Sequence, residues 1–447
     1  SYLCLQLNIY GLSPLMINIK KINIILFIIM VLSVSYGSMV AQKGKSITIH
    51  SENSQVIDAT TDPSTQYLNG DVKLFHAGTF MYCDSAILRG TQLQMRYNVV
   101  LMQNDTIKIF CDSLRYDGDS LVTYLFGNII LENGPSKKLY TTQLRYEVDD
   151  KIAYYNKNAR LIDGTSTLIS KAGKYDLKEK TAWFYRNVKV NGDDFELTTD
   201  SIRYNTENQV ATFLAPVQIA SDSSNIFSKS GWFDLDDKIG QFIGNAQYLA
   251  GKTKAASDTI HYNNQQDLVT LSSDTLLSEY ISEKDTAYAK TIFYDKKNEI
   301  FRLQKNAVYN GEKNQVKGDV VFYDKKTEKF NVMGRSFVSD PPSLIEADTL
   351  DYNKSIKFGK ADGKVIWRDT SAKTTVMADH VLYRGEENYM IACNDDGRPL
   401  FISEIENDTL FMRADTLRAF RVIKERIILP NKEAVRKSQK NKAKTLG

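Results

Sequence analysis

An aspartate beside a serine occurs in the stretch FCDSLRYD, residues 110–117, and this pair could supply a carboxylate and a hydroxyl for catalysis. Similar stretches recur along the chain at a step of about 29 residues. Aspartate stands at eight of the twelve equivalent positions. A catalytic carboxylate would be single or paired, so we interpret this aspartate as structural. The twelve positions are Asp84, Asp112, Thr142, Lys171, Asp200, Lys229, Asp258, Lys290, Asp319, Asp348, Asp379 and Asp415.

The repeated aspartate is predicted to lie near the start of a strand. There its oxygens, and those of the Ser or Thr that often follows it, can accept hydrogen bonds from local backbone N–H groups. Lysine at Lys171, Lys229 and Lys290 argues against a ladder of carboxylates that binds metal.

No other pattern of residues indicates catalysis. The four histidines lack the spacing of metal ligands, and P-loop, GxGxxG and GxSxG motifs are absent from the sequence. We therefore predict a protein that is not an enzyme, with no cofactor and no metal site. The net charge is only +3, so no basic field favours nucleic acid as a partner.

The repeat predicts an all-β chain. Leu114 and Tyr116 fall on one face of a strand, because side chains alternate with a period of two. A polar turn follows, and then a second strand with Gly, Ala or Asn near its middle, which suggests a bend or bulge. Each repeat would supply two or three strands. The whole is predicted to be elongated and repetitive: about twelve repeats form two facing antiparallel sheets over an apolar interior.

A row of basic residues should lie on the other face of these strands. It follows the apolar residue of each repeat, so alternation turns it away from the interior. We expect a solvated outer row, with attraction of anionic head groups as the alternative. The row consists of Arg115, Arg145, Lys174, Arg203 and His261.

The two ends of the chain differ from the repeats. Lys20 and Lys21 precede the apolar stretch INIILFIIMVLSV, residues 22–34, which predicts a secretory signal peptide; an uncleaved membrane anchor is the alternative. We assign residues 1–41 to upstream sequence and signal peptide, and residues 42–429 to the repetitive fold. Residues 430–447 form a basic tail, expected to be disordered and solvated; contact with anionic lipid is the alternative.

The cysteines are too few for a disulfide scaffold. Cys83 and Cys111 hold equivalent places in adjacent repeats and could pair. Free thiols are the other interpretation.

The repeat resembles the OstA-like family. The likeness is carried by TDSIRYNTENQVATFLAPVQIA, residues 199–220, and ADTLDYNKSIKFGKADGKVIW, residues 347–367. In both, a small residue and Asp lead into an alternating strand with Tyr, and a second strand follows. The resemblance covers about residues 45–428. It implies the V-shaped β-jellyroll of LptA and of the LptD N-terminal domain.

The resemblance also implies a periplasmic function, with outer-membrane association left open. Family members bind lipopolysaccharide by its acyl chains and join end to end to bridge the two membranes. The expected partners are lipopolysaccharide and other jellyroll components of the transport machinery, which would pair with open terminal strand edges. Association with membrane complexes would be peripheral.

Candidate lipid-binding residues lie two and four places after the repeated position. Such residues would line an apolar groove whose repetition gives many nearly equal sites, so that a lipid could slide. They are Leu114, Tyr116, Leu144, Tyr146, Ile202, Tyr204, Ile260, Tyr262, Ile292, Tyr294, Val321, Tyr323, Leu350 and Tyr352.

Two other functions stay open from the sequence. An extracellular structural or adhesive β-solenoid would have the same repeats but a closed, dry interior. A β-helical carbohydrate-active enzyme would need a cluster of carboxylates that breaks the repeat on one face, and the sequence shows none.

Overall fold

The computed structural model describes residues 46–58, 65–387, 389–406 and 408–420. The chain divides into two compact units, Ser1–Thr48 and Ile49–Gly447. Only residues 46–48 of the first unit are described, so the fold below is that of the second. The predicted signal peptide and the basic tail lie outside the described residues.

The described chain contains thirty-four strands. The first twelve are β1 (Thr48–His50), β2 (Asn53–Asp58), β3 (Thr65–His76), β4 (Thr79–Arg89), β5 (Gln92–Gln103), β6 (Ile107–Asp117), β7 (Val122–Asn133), β8 (Lys137–Glu147), β9 (Ile152–Tyr155), β10 (Ala159–Asp163), β11 (Ser166–Ser170) and β12 (Ala172–Asp176). The next twelve are β13 (Thr181–Asn191), β14 (Phe195–Asn205), β15 (Val210–Phe213), β16 (Val217–Ser221), β17 (Asn225–Ser228), β18 (Ser230–Asp234), β19 (Ile239–Ala250), β20 (Thr253–Asn263), β21 (Leu268–Ser272), β22 (Ser278–Ile281), β23 (Thr286–Ala289) and β24 (Thr291–Asp295). The last ten are β25 (Ile300–Asn310), β26 (Gln315–Asp324), β27 (Lys329–Asp340), β28 (Ser343–Asn353), β29 (Phe358–Asp369), β30 (Thr374–Arg384), β31 (Tyr389–Cys393), β32 (Leu400–Ile405), β33 (Asp408–Arg413) and β34 (Thr416–Phe420).

Long strands that bend in the middle are the basic element of the fold. Strand β6 pairs with β7 along its whole length, but the register shifts between Phe110 and Ser113. Each long strand therefore contributes one half to each of two layers. Layer A contains the half-strand that follows the repeated position, such as 113–117, together with its hydrogen-bonded neighbours. Layer B contains the other halves, such as 107–111.

The bend is a β-bulge with left-handed backbone. On β7, Gly127 and Asn128 lie opposite the single residue Thr142 of β8. The φ angle of Gly127 is 97°. Other bulges place side-chain-bearing residues in this region, for example Arg186 (φ 65°) and Asn187 (φ 55°). A bulge adds a residue to one strand and increases its local bend. The bend predicted from the mid-strand Gly, Ala and Asn residues is thus present.

Alternating side chains from both layers fill the interior. On β6, Ile107 and Ile109 of layer B and Leu114 and Tyr116 of layer A are all buried. The residue just before the repeated position lies inside the bend, where the layers meet and space is smallest. Small side chains occupy that place and are buried, as with Cys111, Thr141, Ser170, Ser228, Ala289 and Ala347.

The repeat is thus a hairpin of two bent strands. In some repeats the bend interrupts the strand, so that one long strand becomes two short ones, as with β11 and β12 on either side of Lys171. The predicted all-β class, antiparallel pairing and two facing layers are confirmed. Among the residues that the structure describes, there is no helix long and apolar enough to cross a membrane.

We predict that Gly127→Ala weakens the bend. An added Cβ would lie 2.1 Å from Oδ2 of Asp112, and the φ of 97° disfavours any side chain. Gly127→Ala should lower the free energy of unfolding by about 3 kcal/mol, as measured by urea denaturation.

Gly134→Ala is the matched control. Gly134 also has a positive φ, 72°, but no atom lies within 4 Å of the added Cβ. Gly134→Ala should therefore lower the free energy of unfolding by only about 1 kcal/mol. Equal costs for the two variants would show that the contact with Asp112 does not matter.

Candidate functional site

The structure buries most of the predicted lipid-binding residues between the layers. Eleven of the fourteen are buried, and Tyr262, Tyr294 and Tyr352 are half-buried. The buried residues are Leu114, Tyr116, Leu144, Tyr146, Ile202, Tyr204, Ile260, Ile292, Val321, Tyr323 and Leu350. All fourteen belong to layer A and alternate with outward-facing residues. Their contact with lipid stays a prediction.

The interior is packed by the chain's own side chains rather than open along its length. Tyr323 of layer A stacks on Phe330, with ring centroids 4.0 Å apart. Tyr309 of layer B lies 4.6 Å from the Tyr323 ring, so the two layers are in contact. Without a ligand, these residues therefore contact one another. A lipid chain can occupy this space only where the layers separate or leave a cavity.

The repeated aspartate holds the bend. Oδ2 of Asp112 accepts hydrogen bonds from the backbone N–H and the side-chain amide of Asn128, both at 3.1 Å. Asp379 accepts one from the N–H of Asp395 at 3.1 Å. The structural interpretation agrees with this geometry, but the predicted position was wrong. Asp112 and Asp379 lie in mid-strand, not at a strand start; the partner of Asp112 lies in the neighbouring strand, and that of Asp379 in the loop after β31.

Lysine at this position makes the opposite contact. Nζ of Lys290 donates to the carbonyl oxygens of Asp274, Thr275 and Leu276 at 2.7, 3.1 and 3.2 Å. The aspartates accept hydrogen bonds from N–H groups of a bulge or of a loop, whereas this lysine donates to carbonyl groups of a loop. Both side chains satisfy backbone groups at the bend, so the position needs a polar group there and not a carboxylate for chemistry.

Tyrosine hydroxyl groups join the layers at the end far from the bend. We call four such pairs the tyrosine seam. The Tyr146 hydroxyl donates to Oε1 of Gln103 at 2.7 Å, and the Tyr204 hydroxyl donates to Oδ2 of Asp163 at 3.0 Å. The other two pairs are Tyr116 with Nδ1 of His76 at 2.6 Å and Tyr175 with the amide of Asn133 at 3.0 Å.

The tyrosine seam was missed by sequence reasoning because each partner lies 40 to 43 residues upstream. The signal was nevertheless present. His76, Gln103, Asn133 and Asp163 end every second strand of layer B, at inward-facing places where apolar residues would be expected. A polar residue that recurs on a buried face needs a partner there.

The predicted basic row lies on the outer face of layer A and alternates with aromatic residues. The cross-strand register runs Arg115, Tyr124, Arg145, Tyr154, Lys174, Trp183. The Arg145 guanidinium lies 5.3 Å from the Tyr154 ring centroid, and Nζ of Lys174 lies 4.8 Å from that of Trp183. These cation–π pairs stabilise an exposed sheet face, with roughly 0.5–1 kcal/mol each at such sites.

Cys83, Cys111 and Cys393 are free thiols, and Cys83 and Cys111 are buried. Burial raises the pKa of both thiols to about 12. They are therefore protonated and poor nucleophiles near neutral pH.

One acid–histidine cluster lies beside the bend of β30. His380 contacts Asp362 through Nδ1 at 2.8 Å and Asp395 through Nε2 at 3.0 Å. Both ring nitrogens thus face carboxylates, and neither is left to activate a nucleophile. Over residues 46–420, apart from the gaps given above, no three His, Cys, Asp or Glu side chains form a group that could hold a metal ion.

Two family models match the chain. One, described as OstA-like protein, matches residues 43–200. The other, described as LptA/(LptD N-terminal domain) LPS transport protein, matches residues 168–329. The two matches overlap and together span residues 43–329. No curated protein sequence matches the chain.

Solved structures also resemble the chain. One is LptH from Pseudomonas aeruginosa, described as the LptA homologous periplasmic component of the conserved lipopolysaccharide transport device. Its sequence is 10% identical, and the match covers 37% of this chain and 80% of LptH with a TM-score of 0.12. A likeness of this size carries no argument about function.

We predict that Tyr146→Phe weakens the contact between the layers. The change leaves the buried Oε1 of Gln103 without its donor. The free energy of unfolding should fall by about 1–2 kcal/mol. Tyr67→Phe is the control, since Tyr67 is 46% exposed on layer A. Equal effects of the two changes in urea denaturation would contradict a stabilising tyrosine seam.

Stability should also depend on pH through His380. Hydrogen bonds to Asp362 and then Asp395 raise the pKa of His380 above its ordinary value. The folded pKa therefore exceeds the unfolded one. The stabilisation is complete below the unfolded pKa, about 6.5, and is lost as pH rises through the folded pKa.

Unfolding midpoints measured from about pH 6 to pH 9 test this. Relative to His380→Gln, the unchanged chain should lose stability as pH rises. Asp362→Asn removes the leading partner and should flatten that difference. Parallel profiles for the unchanged chain and His380→Gln would refute the role of this cluster.

Proposed function

The chain belongs to the OstA-like family, and we propose that it is a periplasmic lipopolysaccharide-transport protein that shields acyl chains between layers A and B. The observation that carries the proposal is the interior itself. Repeat after repeat supplies inward-facing apolar residues from both layers, such as Ile202 of layer A and Leu197 of layer B. Such an interior offers an acyl chain similar surroundings at each step along the repeats.

The energetics favour a shielded path. Exposing an acyl chain to water costs a free energy of about 0.8 kcal/mol for each CH₂ group. A chain of about a dozen carbons therefore costs on the order of 10 kcal/mol to expose. Opening one pair of the tyrosine seam breaks a hydrogen bond whose net contribution to stability is about 1 kcal/mol. A chain that inserts at one repeat can thus repay much of the cost of parting the layers there.

Transport to or from other proteins would use the ends of the fold. Strand β33 exposes all six of its residues, and Phe411 is 65% exposed. A strand with exposed backbone and apolar side chains can pair with a strand of another protein. We propose that other jellyroll components of the transport machinery dock by such end-to-end strand pairing and bridge the inner and outer membranes. No chemical step on this chain is part of the proposal.

A second function is favoured by the packing of the interior. Tyr146, Phe301 and Phe330 are fully buried, as the closed core of a structural or adhesive β-solenoid would require. In such a protein the layers would never separate. The two functions differ in whether lipid ever reaches the interior.

Site-specific photo-crosslinking in cells tests this difference. Tyr323 faces the interior and is 8% exposed, whereas Phe322 beside it faces outward and is 36% exposed. Each is replaced in turn by p-benzoyl-phenylalanine. We expect a lipopolysaccharide adduct from position 323 and none from position 322.

Protease resistance of both variants serves as the control for folding. If a folded variant gives no adduct at position 323, or equal adducts at both positions, the layers do not shield lipopolysaccharide, and the closed β-solenoid is the better function.

A further inference from the structure

The four pairs of the tyrosine seam end at Tyr204; further along the chain, the Tyr352 hydroxyl of layer A again donates to Oδ2 of Asp340 in layer B. Asp163 occupies the inward-facing position at the end of its half-strand in layer B. The equivalent residues of the next three repeats are Gly192, Ser221 and Ala250. The side chain there becomes too short, and at Ala250 too apolar, to bond a tyrosine across the layers. Tyr262 and Tyr294, the tyrosines of layer A that follow, are correspondingly half-buried rather than buried.

A cavity lies between the layers where the tyrosine seam is missing. Its volume is about 240 Å³. An apolar cavity of about 150 Å³ already admits a molecule of the size of benzene, so this one has room for part of an alkyl chain. Its apolar walls come from both layers and include Tyr248, Ala250, Ala255, Leu271, Ile292 and Tyr294.

A single cation lines the same cavity. Nζ of Lys296 lies 5.4 Å from the ring centroid of Tyr248 in layer B and 5.0 Å from that of Tyr262 in layer A. Lys296 therefore contacts both layers at a place that has no pair of the tyrosine seam. In the part of the chain that the structure describes, no carboxylate lies within 4.0 Å of its Nζ.

The surroundings leave this charge poorly compensated. Burial lowers the pKa of Lys296, and the more distant carboxylate of Asp267 opposes that shift only in part. A half-buried ammonium group with three donors favours an anion with several acceptor oxygens. Phosphate has that chemistry, and an ammonium group binds it as a compact point charge.

We propose that this cavity binds one acyl chain of a phosphorylated lipid, with the chain between Tyr294 and Ala250 and the phosphate on Lys296. The inference rests on the proposed function, and it commits to the phosphorylated, acylated end of lipopolysaccharide as the natural ligand. Because no hydrogen bond of the tyrosine seam has to break here, this is the place where a chain can first insert from the side of the fold.

The role of the Lys296 charge is tested by calorimetric titration of the full-length protein with two probes, decyl phosphate and decan-1-ol. The two probes have the same alkyl chain and differ in the head group. Lys296→Met keeps the length of the side chain and removes its charge. We expect decyl phosphate to bind about tenfold more weakly to Lys296→Met, the loss of about one charge-assisted hydrogen bond. Binding of decan-1-ol should change less than about twofold. Lys297→Met, at the exposed neighbouring position, should leave both affinities unchanged.

The cavity is tested with Ala250→Asp. This change places a carboxylate near Tyr294 and Lys296, as Asp163 stands near Tyr204, and should close the opening. We expect both probes to lose binding while the unfolding midpoint is kept. If Lys296→Met binds decyl phosphate as the unchanged chain does, or if Ala250→Asp still binds both probes, the proposed site is wrong.

Two further comparisons distinguish the possible lipid ligands from each other, and the proposed site from the proposed function. Purified lipid A should compete with decyl phosphate better than phosphatidylglycerol micelles do; the reverse order would overturn lipopolysaccharide as the natural ligand of this site. Adducts at position 323 without binding of decyl phosphate would leave the proposed function standing and refute the site. Binding of decyl phosphate without adducts would do the opposite.

Discussion

The bend in the middle of each strand is the constraint on which the rest of the structure depends. An antiparallel meander of straight strands would be a single sheet with two exposed faces. The bulge bends the long strands at equivalent places, so the apolar faces of the two halves of a strand turn toward each other. Polar side chains hold that bend from the neighbouring strand, as Asp112 does with Asn128 and Lys290 does with loop carbonyls. The small residues inside the bend then let the layers approach.

The two layers are joined in one way at the bend and in another way at the far ends of the strands. This difference determines where the layers can separate. At the bend the chain is continuous, so the layers cannot part there. At the far end only side chains join them, through pairs such as Tyr204 with Asp163. Each such bond has a modest net value because water can replace it. The layers are therefore attached at one side and only weakly closed at the other, as an interior that admits a chain and releases it requires.

Much of the fold could be predicted from the sequence because it repeats. Alternation at Leu114 and Tyr116, the mid-strand Gly127 and the small residue before each Asp reflect local geometry, which any one repeat shows. The cross-layer partners could not be predicted in the same way. Tyr146 and Gln103 are 43 residues apart, and their contact depends on how far the bend turns the strand. The sequence also could not explain why lysine replaces aspartate at Lys290. The structure explains the replacement, because the loop carbonyls of Asp274 and Thr275 lie beside its ammonium group.

The distance between the layers is the quantity that tests the central claim most directly. Spin labels at Arg203→Cys on the outer face of layer A and Gln218→Cys on that of layer B would report it by pulsed electron resonance, since both positions are exposed. We expect a single distance in the chain alone and a longer one when lipopolysaccharide is added. An unchanged distance, under conditions in which lipopolysaccharide is bound, would contradict a fold whose layers part to shield acyl chains.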